Sequence, residues 1–224
     1  MRRRAGPSGC PTWWYSRHRS LKMMSMAQDY PKFKADPQRI VLASSSPRRA
    51  KLLKLITEEF EQVPPHVDEG APKRPDDLLL AARAKAHAVG EKVGKAIVIA
   101  ADTGVFLSGR HLGKPRGLDE ARRMLTALSG KLHTVVTGVC VLFPTGVEEE
   151  LVSTQVKFFP LTRKEIDWYL SSEEVLDKAG AYGIQGRAAA FVERIEGDFF
   201  NVMGFPVSTV YRLLRRAGWR PDAP

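Results

Sequence analysis

What the chain lacks narrows it first. No stretch approaches the roughly 18 consecutive apolar residues of a membrane-spanning helix, so no span is expected. The two cysteines, Cys10 and Cys140, are too few for a disulfide framework, and a reducing compartment fits them best. No internal repeat is visible. Residues 1–28 contain no acid at all, yet carry Arg2, Arg3, Arg4, Arg17, Arg19 and Lys22 with several serines. They also lack the roughly 7–15-residue apolar core of a secretory signal. Three readings of this start stay open: an organelle transit peptide, a disordered extension, or an over-long start, with Met23, Met24 and Met26 as later ones.

What is present is enough for one sizeable core: 224 residues, 43% of them hydrophobic. The formal charge of +10 is unevenly spread. Residues 1–34 hold eight Lys/Arg against the single acid Asp29, a balance of +7; residues 35–224 hold 27 against 24, a balance of +3. The basic character belongs to the tail, which does not mark the body as a nucleic-acid binder. Residues 1–38 are therefore read as an extension and 39–224 as the folded domain.

Within the domain, "RIVLAS" reads as a buried strand, with Ser46 as N-cap and Pro47 at the first position of a helix. Leu52, Leu53, Leu55 and Ile56 supply that helix with an apolar face. "VPPHVDEGAPKRP" reads as a long loop. A helix from Asp76 to the Gly90–Gly94 region puts Leu79, Leu80, Ala84 and Ala88 inward. "AIVIAADTGVFL" is a strand, "GRHLGKPRG" a turn, and "LDEARRMLTALSG" a helix stopped by Gly130. Two strands flank "PTG", and Thr162 with Glu165 forms a capping box. "AGAYGIQG" and the following stretch read as short strands among glycines, and a helix from about Ser208 to Ala217 closes the chain. The alternation gives a mixed α/β fold.

Two stretches carry chemistry. "LASSSPRR" places serine hydroxyls, helix N–H groups and the guanidiniums of Arg48 and Arg49 at a strand-to-helix junction, donors suited to phosphate. The residues alone equally allow a capped helix with two solvated arginines. Asp102 ends the apolar run Ile97–Ala101, where an unpaired carboxylate is costly to bury. It either holds a divalent cation or orients water, or it caps a turn with Thr103. Lys85 and Lys114 each have a cleft reading beside an ordinary surface one, and Glu69, in the Pro-rich loop, reads as a second metal ligand or a substrate contact.

Taken in order, "LASSSPRR" (42–49), "VDE" (67–69), "ARAKA" (82–86), "AADTGV" (100–105), "LGKP" (112–115), "ARRMLTALSGKLHTVVTGV" (121–139), "DKAGAYGIQG" (177–186) and "EGDFFNVMGFP" (196–206) resemble the Maf family of nucleotide pyrophosphatases. The resemblance implies a mixed sheet with flanking helices, forming two lobes around a deep cleft, similar to the inosine-triphosphate pyrophosphatase fold. It implies hydrolysis of nucleoside triphosphates to the monophosphate and pyrophosphate with a divalent metal, Mg²⁺ or Mn²⁺. It assigns Ser44, Arg48 and Arg49 to phosphate binding and Lys85 and Lys114 to the triphosphate. Glu69 and Asp102 become acidic cleft positions and metal ligands, with Asp102 activating water. Thr103 follows the family, and Gln185 marks the branch preferring dTTP and UTP. Modified pyrimidine triphosphates such as pseudo-UTP and 5-methyl-UTP fit the same pocket. A homodimer in the cytoplasm is expected, with no membrane or nucleic-acid partner. A non-enzymatic regulator of cell division is the alternative. Two departures stand out: "GFP" at 204–206 replaces a usual "GLP", and Gly104 stands where a larger residue is frequent.

Overall fold

Runs of β-branched and aliphatic residues set the strands. In the computed structural model, which describes residues 39–67, 70 and 72–221, they are β1 (Ile40–Ala43), β2 (Glu61–Gln62), β3 (Ile97–Leu107), β4 (Arg110–Leu112), β5 (Leu132–Phe143), β6 (Gly146–Phe158) and β7 (Val192–Glu196). The helices are α1 (Pro47–Leu53), α2 (Asp76–Val93), α3 (Leu118–Leu128), α4 (Arg163–Leu170), α5 (Phe199–Val202) and α6 (Val207–Arg216). The extension 1–38 and Glu69 lie outside the described residues. The strands form a seven-stranded mixed sheet in the order β2-β1-β3-β5-β6-β7, with β4 beside β3. β1 is parallel to β2 and β3, and the remaining pairings are antiparallel. This is the expected mixed α/β architecture. No helix among the described residues is long and apolar enough to cross a membrane.

The two edges of β3 differ. Along one, β5 pairs continuously with Val98–Phe106. Along the other, β1 pairs with Ile97–Ala100 and β4 with Val105–Leu107. Residues 101–104 therefore face a gap where β1 has ended and β4 has not begun. Open α/β sheets place ligands at such a point, just past the carboxyl end of a parallel strand.

Alternation along β3 distributes the packing. Val98 and Ala100 meet Ala82, Ala86 and Val89 of α2, while Ile97, Ile99 and Ala101 meet Leu52 and Leu53 of α1 and Val210, Leu213 and Leu214 of α6. α2 approaches closely because Gly138 on β5 has no side chain; a Cβ there would lie 2.6 Å from the backbone of Leu78. Beyond the gap, α3, α4 and the 3₁₀ turns 179–181 and 187–191 bury Leu125, Tyr169, Tyr182 and Phe191 against Val135, Val156 and Phe158. These are the two lobes, and the gap is the cleft between them.

Local signals held where a side chain satisfies a named backbone group. Ser46 caps α1 with Pro47 at its start, Thr162 and Glu165 form the capping box, and α3 buries Ala121, Met124, Leu125 and Leu128. Four expectations need correction. α1 ends at Leu53, and Leu55 is 64% exposed. The inner face of α2 is Leu78, Ala82, Lys85, Ala86 and Val89, leaving Leu80 58% exposed, because the helix backbone at Leu78 lies against Gly138 and Ala82 and Ala86 pack on Val98, Ala100 and Cys140. The "GRHLGKPRG" segment contains β4, folded back through Ser108 and Gly109, both at positive φ. The "AGAYGIQG" region is built of 3₁₀ turns, with β7 and α5 after them.

His133 anchors the second lobe from within. Its Nε2 lies 2.9 Å from the Tyr182 hydroxyl, and its ring stands edge-on to Phe158. Burial pushes its pKa from the ordinary 6.5 down to about 4, against a weaker raising effect from the Lys131 backbone. The folded state therefore binds fewer protons than the unfolded chain below pH 6.5, and stability falls as pH drops from there toward 4. At pH 4.5 this single group is expected to remove about 2–3 kcal/mol relative to pH 7.5. Urea unfolding of wild type and His133→Asn at both pH values checks it: the acid loss should shrink by that amount in the variant, and equal losses contradict the assignment.

Candidate active site

A cleft of about 910 Å³ opens at the gap in β3. Its lining includes Ser44, Arg48, Arg49, Lys85, Asp102, Thr103, Lys114 and Gln185, which are all the sequence-predicted site residues except Glu69, and Glu69 is not among the described residues.

Asp102 and Thr103 occupy the gap itself and point to opposite faces of the sheet. Asp102 faces α2, where Lys85 Nζ lies 2.7 Å from its Oδ1. The two side chains are only 14% and 4% exposed. Neither would be stable there alone, because each charge needs the other to offset its lost hydration. Lys85 is thus no solvated helix lysine, and Asp102 is no turn cap.

Thr103 faces the other way and holds Arg49. Its Oγ1 accepts from Arg49 Nη2 at 3.1 Å, while Arg49 Nε donates to the Gly204 carbonyl at 2.9 Å. Gly204 makes this approach possible: a Cβ there would lie 3.3 Å from Thr103 Oγ1, and its φ is +94°. Ser44 is buried; its Oγ accepts the Ser46 N–H at 3.1 Å and lies 3.5 Å from Arg49 Nη1. In this state Ser44 and Thr103 fix the arginine's direction. Arg48 reaches instead across the cleft to Asp177, with Nη1 2.6 Å from Oδ2. Lys178 Nζ lies 2.6 Å from the other oxygen of Asp177. Burial raises the Asp177 pKa, but the hydrogen bonds and charge of Lys178 and Arg48 outweigh this and leave it below the usual carboxylate range. α1 has seven residues, so its dipole is a minor term and the arginines carry the charge.

Gln185 stands exposed on the turn Gly183–Gly186, closed by the Gly186 N–H to the Gly183 carbonyl at 3.0 Å. Beneath it Tyr182 is bound to His133, and the Gly183 N–H donates to Tyr169 Oη at 3.2 Å. The turn is therefore rigidly seated. Lys114 follows β4, and the Gly113 carbonyl next to it accepts the Gly180 N–H at 3.0 Å. Sequence reasoning missed Arg110, His111, Arg116, Arg123 and Lys178, which also line the cleft. Of these, His111 had a signal in the unusual Gly104 opposite it. Cations outnumber acids among the lining residues, with Asp102, Glu120 and Asp177 the acids described. Such a cleft attracts a polyanion.

The Maf-like protein family matches residues 39–217, which span every element that builds this cleft. The chain belongs to that family. Among its relatives, a dTTP/UTP pyrophosphatase of Geobacillus sp. (strain WCH70) is 47% identical over 185 residues, covering 81% of this chain and 100% of the relative. One from Carboxydothermus hydrogenoformans is 49% identical with the same coverage, and one from Pyrococcus horikoshii is 44% identical over 184 residues, covering 81% and 98%. Among solved structures, the Ham1 protein of Staphylococcus aureus gives a TM-score of 0.45 at 16% identity, over 80% of this chain and 99% of that one.

The buried pair generates a stability test. Replacing Lys85 by Met leaves Asp102 without its partner and is expected to lower the unfolding free energy by about 3 kcal/mol. Chemical denaturation followed by circular dichroism reads this directly; an unchanged midpoint contradicts the pairing.

Proposed function

We propose that this chain hydrolyses dTTP and UTP to the nucleoside monophosphate and pyrophosphate, residues 39–224 forming the catalytic domain. The observation that carries the reading is the convergence, in a cation-lined cleft, of the buried Asp102–Lys85 pair, the arginines of "SSSPRR" and Gln185. Relatives matched over almost their whole length are named for this activity.

Attack of water on the α-phosphorus breaks the α–β phosphoanhydride bond; the oxygen of water stays on the monophosphate and pyrophosphate departs. Asp102 takes the proton from water, its carboxylate held in place by Lys85 Nζ at 2.7 Å from Oδ1. Arg48, Arg49, Lys85 and Lys114 neutralise the charge gathering on the leaving pyrophosphate. For Arg48 this means exchanging Asp177 for a phosphate oxygen. Gln185, an amide able to donate and accept at once, matches the adjacent O4 and N3–H of uracil or thymine. Pseudo-UTP and 5-methyl-UTP keep that edge and belong to the same substrate set.

A divalent cation fits the donor set. Mg²⁺ is commonly held by one or two carboxylates plus substrate phosphates. The described residues contain no cluster of three His, Cys, Asp or Glu, so a site completed by the triphosphate suits the single carboxylate of Asp102. Glu69 is the second ligand proposed. When bound, the ion supplies positive charge to the phosphates. A homodimer working in the cytoplasm belongs to the same proposal and rests on the family resemblance.

Asp102→Asn is expected to stay folded and to lose about a thousandfold or more in pyrophosphate release, the scale of a lost general base with its associated charge. The melt itself is expected to fall, because Lys85 loses the charge of Asp102; turnover within tenfold of wild type, by protein that circular dichroism shows to be folded, refutes the role. For Gln185→Ala, the ratio of kcat/KM for dTTP to that for dGTP should fall roughly 5–150-fold, since a lost bidentate amide contact removes about 1–3 kcal/mol of base discrimination. An equal loss on both nucleotides would show that Gln185 does not read the base.

A further inference from the structure

His111 lines the cleft, yet nothing in the mechanism above uses it. It sits on β4 directly across from Phe106, and the two rings lie 5.3 Å apart. Paired strand residues share a face, so His111 stands on the face that carries Phe106, Gly104 and Asp102 at alternate positions of β3. Gly104 is the reason it can lie there. A Cβ at 104 would come within 3.1 Å of both Cδ2 and Nε2 of the imidazole. The missing side chain therefore admits the ring against β3, on the Asp102 side of the cleft. Arg110 and Lys114 of the same segment line the cleft with it, while Asp102 shares its face. The part of a nucleotide drawn to this wall is the phosphate chain. Burial lowers the pKa of His111, opposed by the charge of Asp102, so near neutral pH the ring is uncharged and keeps one N–H donor.

We infer that His111 is a further substrate-contacting residue, an imidazole admitted by Gly104 beside Asp102 that donates a hydrogen bond to a phosphate oxygen of the bound triphosphate. The inference rests on the proposed triphosphate substrate.

The test measures binding of α,β-imido-dTTP by calorimetry, together with thermal melts, for wild type, His111→Leu, His111→Gln and Gly104→Val, and for the Gly104→Val, His111→Leu pair. His111→Leu keeps an apolar contact with Phe106 but has no donor, and its Kd should rise roughly tenfold, as for one lost hydrogen bond to a charged group. His111→Gln should recover most of this. Gly104→Val should weaken binding similarly in wild type and little further in His111→Leu, because it acts by displacing the ring. A leucine variant that melts as wild type and binds as tightly overturns the inference. So does a glutamine variant as weak as leucine, or a valine effect that adds in full to the leucine one. Wild type that does not bind the analogue at all would instead fail the triphosphate reading, and this contact with it.

Discussion

Lys85 and Asp102 form the interaction on which the rest of the site depends. Two opposite charges this deeply buried are stable only together, and holding them together fixes α2 against β3. Several features of the fold serve that juxtaposition. Gly138 lets α2 settle onto the sheet, and Leu78, Ala82, Ala86 and Val89 give it an inner face on which a lysine is the single long polar side chain. β3 supplies the acid at the point where its edge is unpaired. A carboxylate two residues earlier would be buried beneath β1; four residues later it would lie in the β3–β4 hairpin.

The cleft is asymmetric as a consequence. The "SSSPRR" junction fills the space after β1, and its two arginines leave in different directions. Arg49 is tied to Thr103 and Gly204 and so joins β3 to the segment before α6. Arg48 crosses to Asp177 on the opposite lobe, which also carries Gln185. On the proposed roles, a triphosphate that draws Arg48 away from Asp177 acts on the same lobe that presents Gln185, so phosphate and base recognition would share one structural unit.

Much of this was legible in the residues. Capping by Ser46 and Thr162 and the apolar stripe of α3 depend on near neighbours, and those appeared where expected. The phase of α2 did not, because Leu79, Leu80, Ala84 and Ala88 form as plausible a stripe as the true one, and the choice was made by a distant glycine on β5. With the correct phase, Lys85 would have declared itself an inward lysine in need of an acid. The partner of Arg48 lies 129 residues away, beyond any local pattern. The 3₁₀ turns of 179–191 lack a period long enough to read, and their shape comes from Tyr182 and Tyr169 packing beneath them. Gly104 stands out in the sequence alone, but its meaning depends on β4 folded alongside.

The central claim is that this cleft directs water to the α-phosphorus of a pyrimidine triphosphate. Hydrolysis of dTTP in ¹⁸O-labelled water, with the products separated and weighed by mass spectrometry, tests it most directly. The account predicts one labelled oxygen in the monophosphate and none in the pyrophosphate. Label in pyrophosphate, release of inorganic phosphate as the first product, or no hydrolysis by folded protein would contradict it.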